Sequence, residues 1–173
     1  IFWKLQLGGP ASPDWEFRDL YFRNARCPRA RWPAPTPSEV GSNAVIEGVL
    51  DGDQRGFLID RSLPHFGLWP RAQVEAVGRH TWVQPRQLLD IPSCGDRTFT
   101  CRGPLGAPAG ELVALVKGDK VHFENSPALI DLPYEWSLVP RTGEAPAELY
   151  ILLPPGISPD ANLIVPRTRT LLR

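Results

Sequence analysis

The sequence predicts a mainly β protein: an antiparallel sandwich or partly open barrel with one or two short helices. Three observations carry this. Proline occurs 20 times in 173 residues, and each Pro lacks a backbone donor and clashes with the preceding helical turn, so long helices are excluded. Apolar and polar residues alternate through about nine short runs, the period of a half-buried strand. Turn residues, chiefly Gly, Asp and Pro, punctuate those runs.

Residues 1–9 (IFWKLQLGG) alternate and end in glycines, which reads as a first strand. Ile1-Phe2-Trp3 as the remnant of a removed anchor is the other reading of that opening. Residues 15–23 (WEFRDLYFR) alternate until Leu20–Phe22 breaks the pattern, which reads as a strand with a bulge. Residues 28–37 (PRARWPAPTP) hold four prolines and form an extended surface loop. Two β-rich runs, 43–50 and 55–61, flank Asp51-Gly52-Asp53-Gln54 and predict a hairpin. Residues 71–77 (RAQVEAV), between Pro70 and Gly78, are the best helix candidate. A strand follows over 80–84, then a single helical turn over 85–89.

The second half is more plainly β. A strand is expected over 97–102, and runs 111–117 and 120–124 flank Gly118-Asp119 as a second hairpin. Further strands are expected over 134–139, 147–153 and 161–166. Alternation within these runs places Val45, Val49, Phe57, Ile59, Val113, Leu115, Val121, Phe123, Trp136, Leu138, Tyr150 and Leu152 in the core.

An apolar fraction of 42% with six Trp and seven Phe is enough to build a buried core, which argues against disorder. One β-rich domain over 1–173 is expected. Charge is balanced, with 19 basic and 19 acidic residues, so no global field draws the chain to nucleic acid or to an anionic membrane. No apolar run reaches the ~20 residues that span a bilayer. The chain opens on Ile1 and holds no Met, which reads as a mature or trimmed chain. Cys94 and Cys101 bracket a short Gly-Asp loop and are a candidate disulfide, with Cys27 left as a buried thiol. Such a bond implies an oxidising, extracytoplasmic compartment, periplasmic or secreted.

The candidate chemistry is sparse. His65, His80 and His122 are the histidines. His65, His80 and Lys120 are the residue types an RNA-cleaving site needs: one base, one acid and a cation for the developing charge. The two-His spacing with Gly78-Arg79-His80-Thr81-Trp82 resembles the EndoU-type endoribonucleases over some twenty residues, without that family's extended pattern around the first His. The resemblance implies a metal-independent nuclease or secreted toxin. Arg18, Arg23, Arg26, Arg29 and Arg31, interleaved with Phe17, Tyr21, Phe22 and Trp32, are the types that track a phosphate backbone and stack bases, but net neutrality and the scarcity of Lys argue against nucleic acid as a partner. Asp51, Asp53 and Asp60 around the first hairpin are too few for a Ca²⁺ loop and read as turn chemistry. There is no zinc ligand spacing, nucleophile elbow, P-loop or dinucleotide fingerprint, so no cofactor and no metal are expected. The reading that remains is a non-enzymatic β-rich module that binds a protein partner or assembles with one.

Overall fold

Short alternating runs between prolines become strands of two to six residues. The structure, a computed structural model, describes residues 1–8, 17–34, 43–50, 55–64, 74–79, 86–88, 97–101, 116–141, 143, 145–159 and 162–165. Along the chain these form β1 (Phe2–Leu7), β2 (Leu20–Phe22), β3 (Ala25–Cys27), β4 (Arg31–Trp32) and β5 (Ala44–Val49). Then come β6 (Gly56–Ile59), β7 (Glu75–Arg79), β8 (Arg86–Leu88), β9 (Thr98–Thr100) and β10 (Lys120–Glu124). The last are β11 (Trp136–Val139), β12 (Ala147–Leu152) and β13 (Leu163–Ile164). Among the described residues the only helical element is a 3₁₀ turn at Pro127–Leu129, capped by the Ser126 hydroxyl. The fold is mainly β, and its strand ladders are antiparallel, as the sequence predicts.

The chain divides into two units. Ile1–Ala30 and Asn125–Arg173 make the first, and Arg31–Glu124 the second. In the first, a sheet of order β1-β12-β11 and a smaller sheet of order β13-β2-β3 share one core. Leu20, Phe22 and Cys27 come from the small sheet, and Trp136, Leu138, Leu149 and Ile151 from the larger. Trp136 is its centre. It is fully buried, its ring stacks on Phe17 at 5.3 Å, and its Nε1 donates to the Cys27 carbonyl at 3.1 Å.

The outer edge of β11 would expose unpaired backbone groups, and the segment before β4 closes it. The Trp136 N–H donates to the Pro28 carbonyl, and the Ala30 N–H donates to the Trp136 carbonyl. One residue pair further on, the Asn125 side chain takes over that pairing with Leu138.

The second unit is one curled, half-barrel sheet of order β8-β7-β10-β5-β6-β9, with β4 also paired to β10. A bulge between Ile46 and Gly48 bends β5 where it pairs with β6, which is how antiparallel sheets curl. Its core face carries Phe57, Phe99 and Phe123, all with ring centroids within 6.4 Å of one another, and Trp32 beside Phe123. Each such ring stabilises by roughly 1.5–3 kcal/mol on burial.

Several sequence expectations need correction. The helix candidate 71–77 is strand from Glu75 onward. Val74, Ala76 and Val77 are fully buried, and Gly78 lies opposite Val121 inside the ladder instead of closing a helix. A strand buried on both faces loses its alternation and cannot be told from a helix by period. The helical turn expected at 85–89 is likewise strand over Arg86–Leu88, paired to β7. The second hairpin does not form as expected: β10 is flanked by β7 on one edge and by β5 and β4 on the other. The strand expected at 80–84 and residues 111–115 lie outside the described residues. Gly118 does take the turn conformation (φ 96°), and its N–H donates to Ile46.

The expected core is right for Phe57, Ile59, Val121, Phe123, Trp136 and Leu138. It is wrong for Val45, Tyr150 and Leu152, which are half-buried, and for Val49, which is exposed. Ala44 and Ile46 in β5, and Ala147, Leu149 and Ile151 in β12, face the core instead. A strand's faces alternate, so an error of one residue inverts the whole set. Val113 and Leu115 lie outside the described residues.

Candidate functional site

The first unit holds a cleft of about 370 Å³, lined by Phe22, Arg23, Ala25, Arg26, Cys27, Pro28, Pro133 and Tyr134. One wall is the β2–β3 hairpin. Leu20, Tyr21 and Phe22 pair with Cys27, Arg26 and Ala25, which leaves Arg23-Asn24 as a two-residue turn. Both turn residues have positive φ, 48° and 65°, the arrangement whose twist matches the flanking strands. The Arg23 N–H donates to the Asn162 carbonyl at 2.9 Å and anchors the tip.

The other wall is the turn Leu132–Glu135. Tyr134 has φ 70°, a conformation that costs a bulky residue of order 1–3 kcal/mol and persists only where its surroundings enforce it. The flanking bonds do so. The Tyr134 N–H donates to the Leu152 carbonyl, and the Glu135 N–H donates to the Leu132 carbonyl. The buried Glu135 carboxylate in turn accepts from the Asp131 and Leu132 N–H groups at 3.0 and 3.1 Å. Burial pushes this carboxyl up to about 7, against the pull of those two N–H groups, and neighbouring Asp131 adds to the rise.

The cleft is apolar at its floor and basic at its rim. The Phe22 and Tyr134 rings meet at 5.8 Å, and the Arg23 guanidinium lies 5.4 Å from the Phe22 ring centre. Arg26 pairs with Asp19 at 2.6 Å. Among the described residues Arg23 makes no ion pair. Burial raises the Cys27 thiol above its ordinary range, which makes it a poor nucleophile. Glu135 is occupied by backbone donors. The arrangement suits holding a ligand better than acid–base or nucleophilic chemistry.

His65 and His80 lie outside the described residues, as do Cys94, Asp51 and Asp53. Lys120 is exposed at the start of β10, opposite Arg79 and Val45. Two residues on along the same face, His122 is buried and its Nε2 lies 2.8 Å from the Glu124 carboxylate. Cys101 is buried at the end of β9, and Cys27 is a free buried thiol. Asp60 serves the fold: it accepts the Val45 N–H and pairs with Arg61, which holds its carboxyl below the usual range.

The basic–aromatic run is split. Arg23 and Arg26 with Phe22 reach the cleft. Arg29 lies over the Trp136 ring, whereas Arg31 in the second unit donates to Asn43 and to the Pro33 carbonyl. Sequence reasoning missed Pro133 and Tyr134, which lie beside the hairpin because Trp136, just after them, bonds to the Cys27 and Pro28 carbonyls. Among the described residues, no helix is long and apolar enough to cross a membrane, and no group of three His, Cys, Asp or Glu is placed to hold a metal.

No family model and no curated protein matches the chain. A solved structure described as a glycoside hydrolase is similar in fold, with a TM-score of 0.60 at 15% identity over 94% of this chain. The chain spans 28% of the length of that protein. At this identity the likeness bears on the fold alone.

Proposed function

We propose that this is a non-enzymatic β-rich binding or assembly module that engages a protein partner through the cleft of its first unit. The observation that carries the reading is the Phe22–Tyr134 floor with Arg23 at its rim. It is an accessible recess between two walls that backbone hydrogen bonds hold in shape, and such preorganisation favours binding. Among the described residues around it, Glu135 accepts from the Asp131 and Leu132 N–H groups, Asp19 pairs with Arg26, and burial raises the Cys27 thiol, which supports binding over proton transfer. An extracytoplasmic location, periplasmic or secreted, belongs to the same proposal.

The rival reading is a metal-independent nuclease using His65, His80 and Lys120. One experiment separates the two. Tagged chain is used to capture partners from its native host, beside Ala25→Trp, which fills the cleft from an exposed position on β3. RNA and DNA cleavage is assayed on the same samples and on His65→Ala and His80→Ala. A protein retained by the parent chain and lost by Ala25→Trp, without cleavage, supports the module. Cleavage without metal that both His substitutions abolish would overturn it.

A further inference from the structure

We infer that the cleft takes an acidic peptide segment: an extended stretch whose carboxylate pairs with Arg23 while the neighbouring apolar side chain packs onto the Pro28, Pro133 and Tyr134 lining. This rests on the binding-module reading and names the chemistry of its partner.

Charge complementarity is the first argument. Two guanidinium groups, Arg23 and Arg26, stand at the rim, and the carboxylate paired with them is Asp19, on Arg26. Among the described residues no carboxylate pairs with Arg23. A guanidinium over an aromatic ring is held by that ring while its N–H edge remains able to fork onto a carboxylate. Arg23 is placed in this way over Phe22.

The floor is the second argument. Two rings and two prolines, Pro28 and Pro133, line it. Aromatic-lined grooves accept extended chains, whose side chains alternate between groove and solvent. A single apolar residue beside an acidic one satisfies floor and rim together.

The third argument sets the peptide against a nucleic acid. A phosphate backbone needs a row of cations. The five arginines that suggest such a row in sequence are divided, with Arg29 on the Trp136 ring and Arg31 held within the second unit. Two rim cations suit a short acidic motif.

The test is selection of random dodecapeptides displayed on phage against the full chain, followed by fluorescence anisotropy on the enriched peptides. Selected sequences are expected to carry Asp or Glu beside an apolar residue. Their binding should weaken about two- to five-fold in Arg23→Gln, the worth of an exposed ion pair. It should also weaken when Asp or Glu in the peptide becomes Asn or Gln, and as salt rises. Ala25→Trp should abolish it. Circular dichroism unchanged from the parent shows that both variants fold.

No enrichment, enrichment without acidic residues, or equal affinity for Arg23→Gln would overturn the proposal. So would Arg23-dependent binding of polygalacturonate oligomers with no peptide bound, which would assign the same cation to an acidic glycan. If peptides fail while Ala25→Trp still blocks capture of a partner protein, the acidic chemistry falls and the binding-module reading stands. If Ala25→Trp affects neither, both fall.

Discussion

The Asn125 side chain acts as a strand partner for Leu138: its Nδ2 donates to the Leu138 carbonyl at 2.9 Å and its Oδ1 accepts the Leu138 N–H at 2.8 Å. Asn125 is buried and has φ 70°, a backbone conformation Asn tolerates better than most residues. One side chain thus closes the edge of β11 where the chain passes from β10 into the 3₁₀ turn.

Asn125→Ala should therefore cost about 1–3 kcal/mol, because it leaves a buried N–H and a buried carbonyl without partners. Asn125→Asp should also destabilise, since it keeps the acceptor, loses the donor and buries a charge. Urea denaturation checks both, and an unchanged midpoint for Asn125→Ala would refute the pairing role.

Trp136→Phe should destabilise the first unit by roughly 1–3 kcal/mol through the lost Nε1 bond to Cys27 and the smaller ring. Phe99→Ala in the second unit should cost about 3–5 kcal/mol, because its ring meets both Phe57 and Phe123. Val49→Ala, on an exposed face, should lie within about 0.5 kcal/mol of the parent. Thermal melts of the three variants test the assigned strand faces.

The Glu135 carboxyl gives a pH signature. Its folded value near 7 exceeds the ordinary 4.5, so between these limits the folded chain holds a proton that the unfolded chain has released. The resulting stability is complete below pH 4.5 and is lost as pH rises through 7. Glu135→Gln can still accept the Asp131 and Leu132 N–H groups and carries no charge. It should remove this fall and be more stable than the parent at pH 8. Denaturation at pH 5 and pH 8 measures the difference, which separates Glu135 from Asp60 and Glu148, whose lowered values act at lower pH with the opposite sign. Parallel pH profiles for parent and Glu135→Gln would contradict the assignment.

The strands were legible wherever alternation and turn residues agreed, as in β1, β5, β6 and β12. The facing of β12 was inverted although the sequence held the signal: Glu148 shares a face with Tyr150 and Leu152, so that face belongs outside, where Glu148 pairs with Lys4. In β5, Glu47 shares a face with Val45 and Val49 and marks it as the outer one, a signal that the reading of Val45 and Val49 as core passed over. β7 was lost because burial on both faces erases its period. Half of the cleft was visible as Phe22, Arg23 and Arg26 in one basic–aromatic run. The other half was not, because Pro133 and Tyr134 are brought to that hairpin by tertiary pairing that no local pattern encodes.

The most direct test of the binding-module account is photo-crosslinking from two exposed positions. p-Benzoylphenylalanine replaces Leu132, beside the Pro133–Tyr134 wall, in one sample and Val49, in the second unit, in the other. After irradiation in the native host, the account predicts a discrete protein adduct from position 132 that Ala25→Trp removes, and none from position 49. Adducts from 49 alone, or from 132 irrespective of Ala25→Trp, would contradict it.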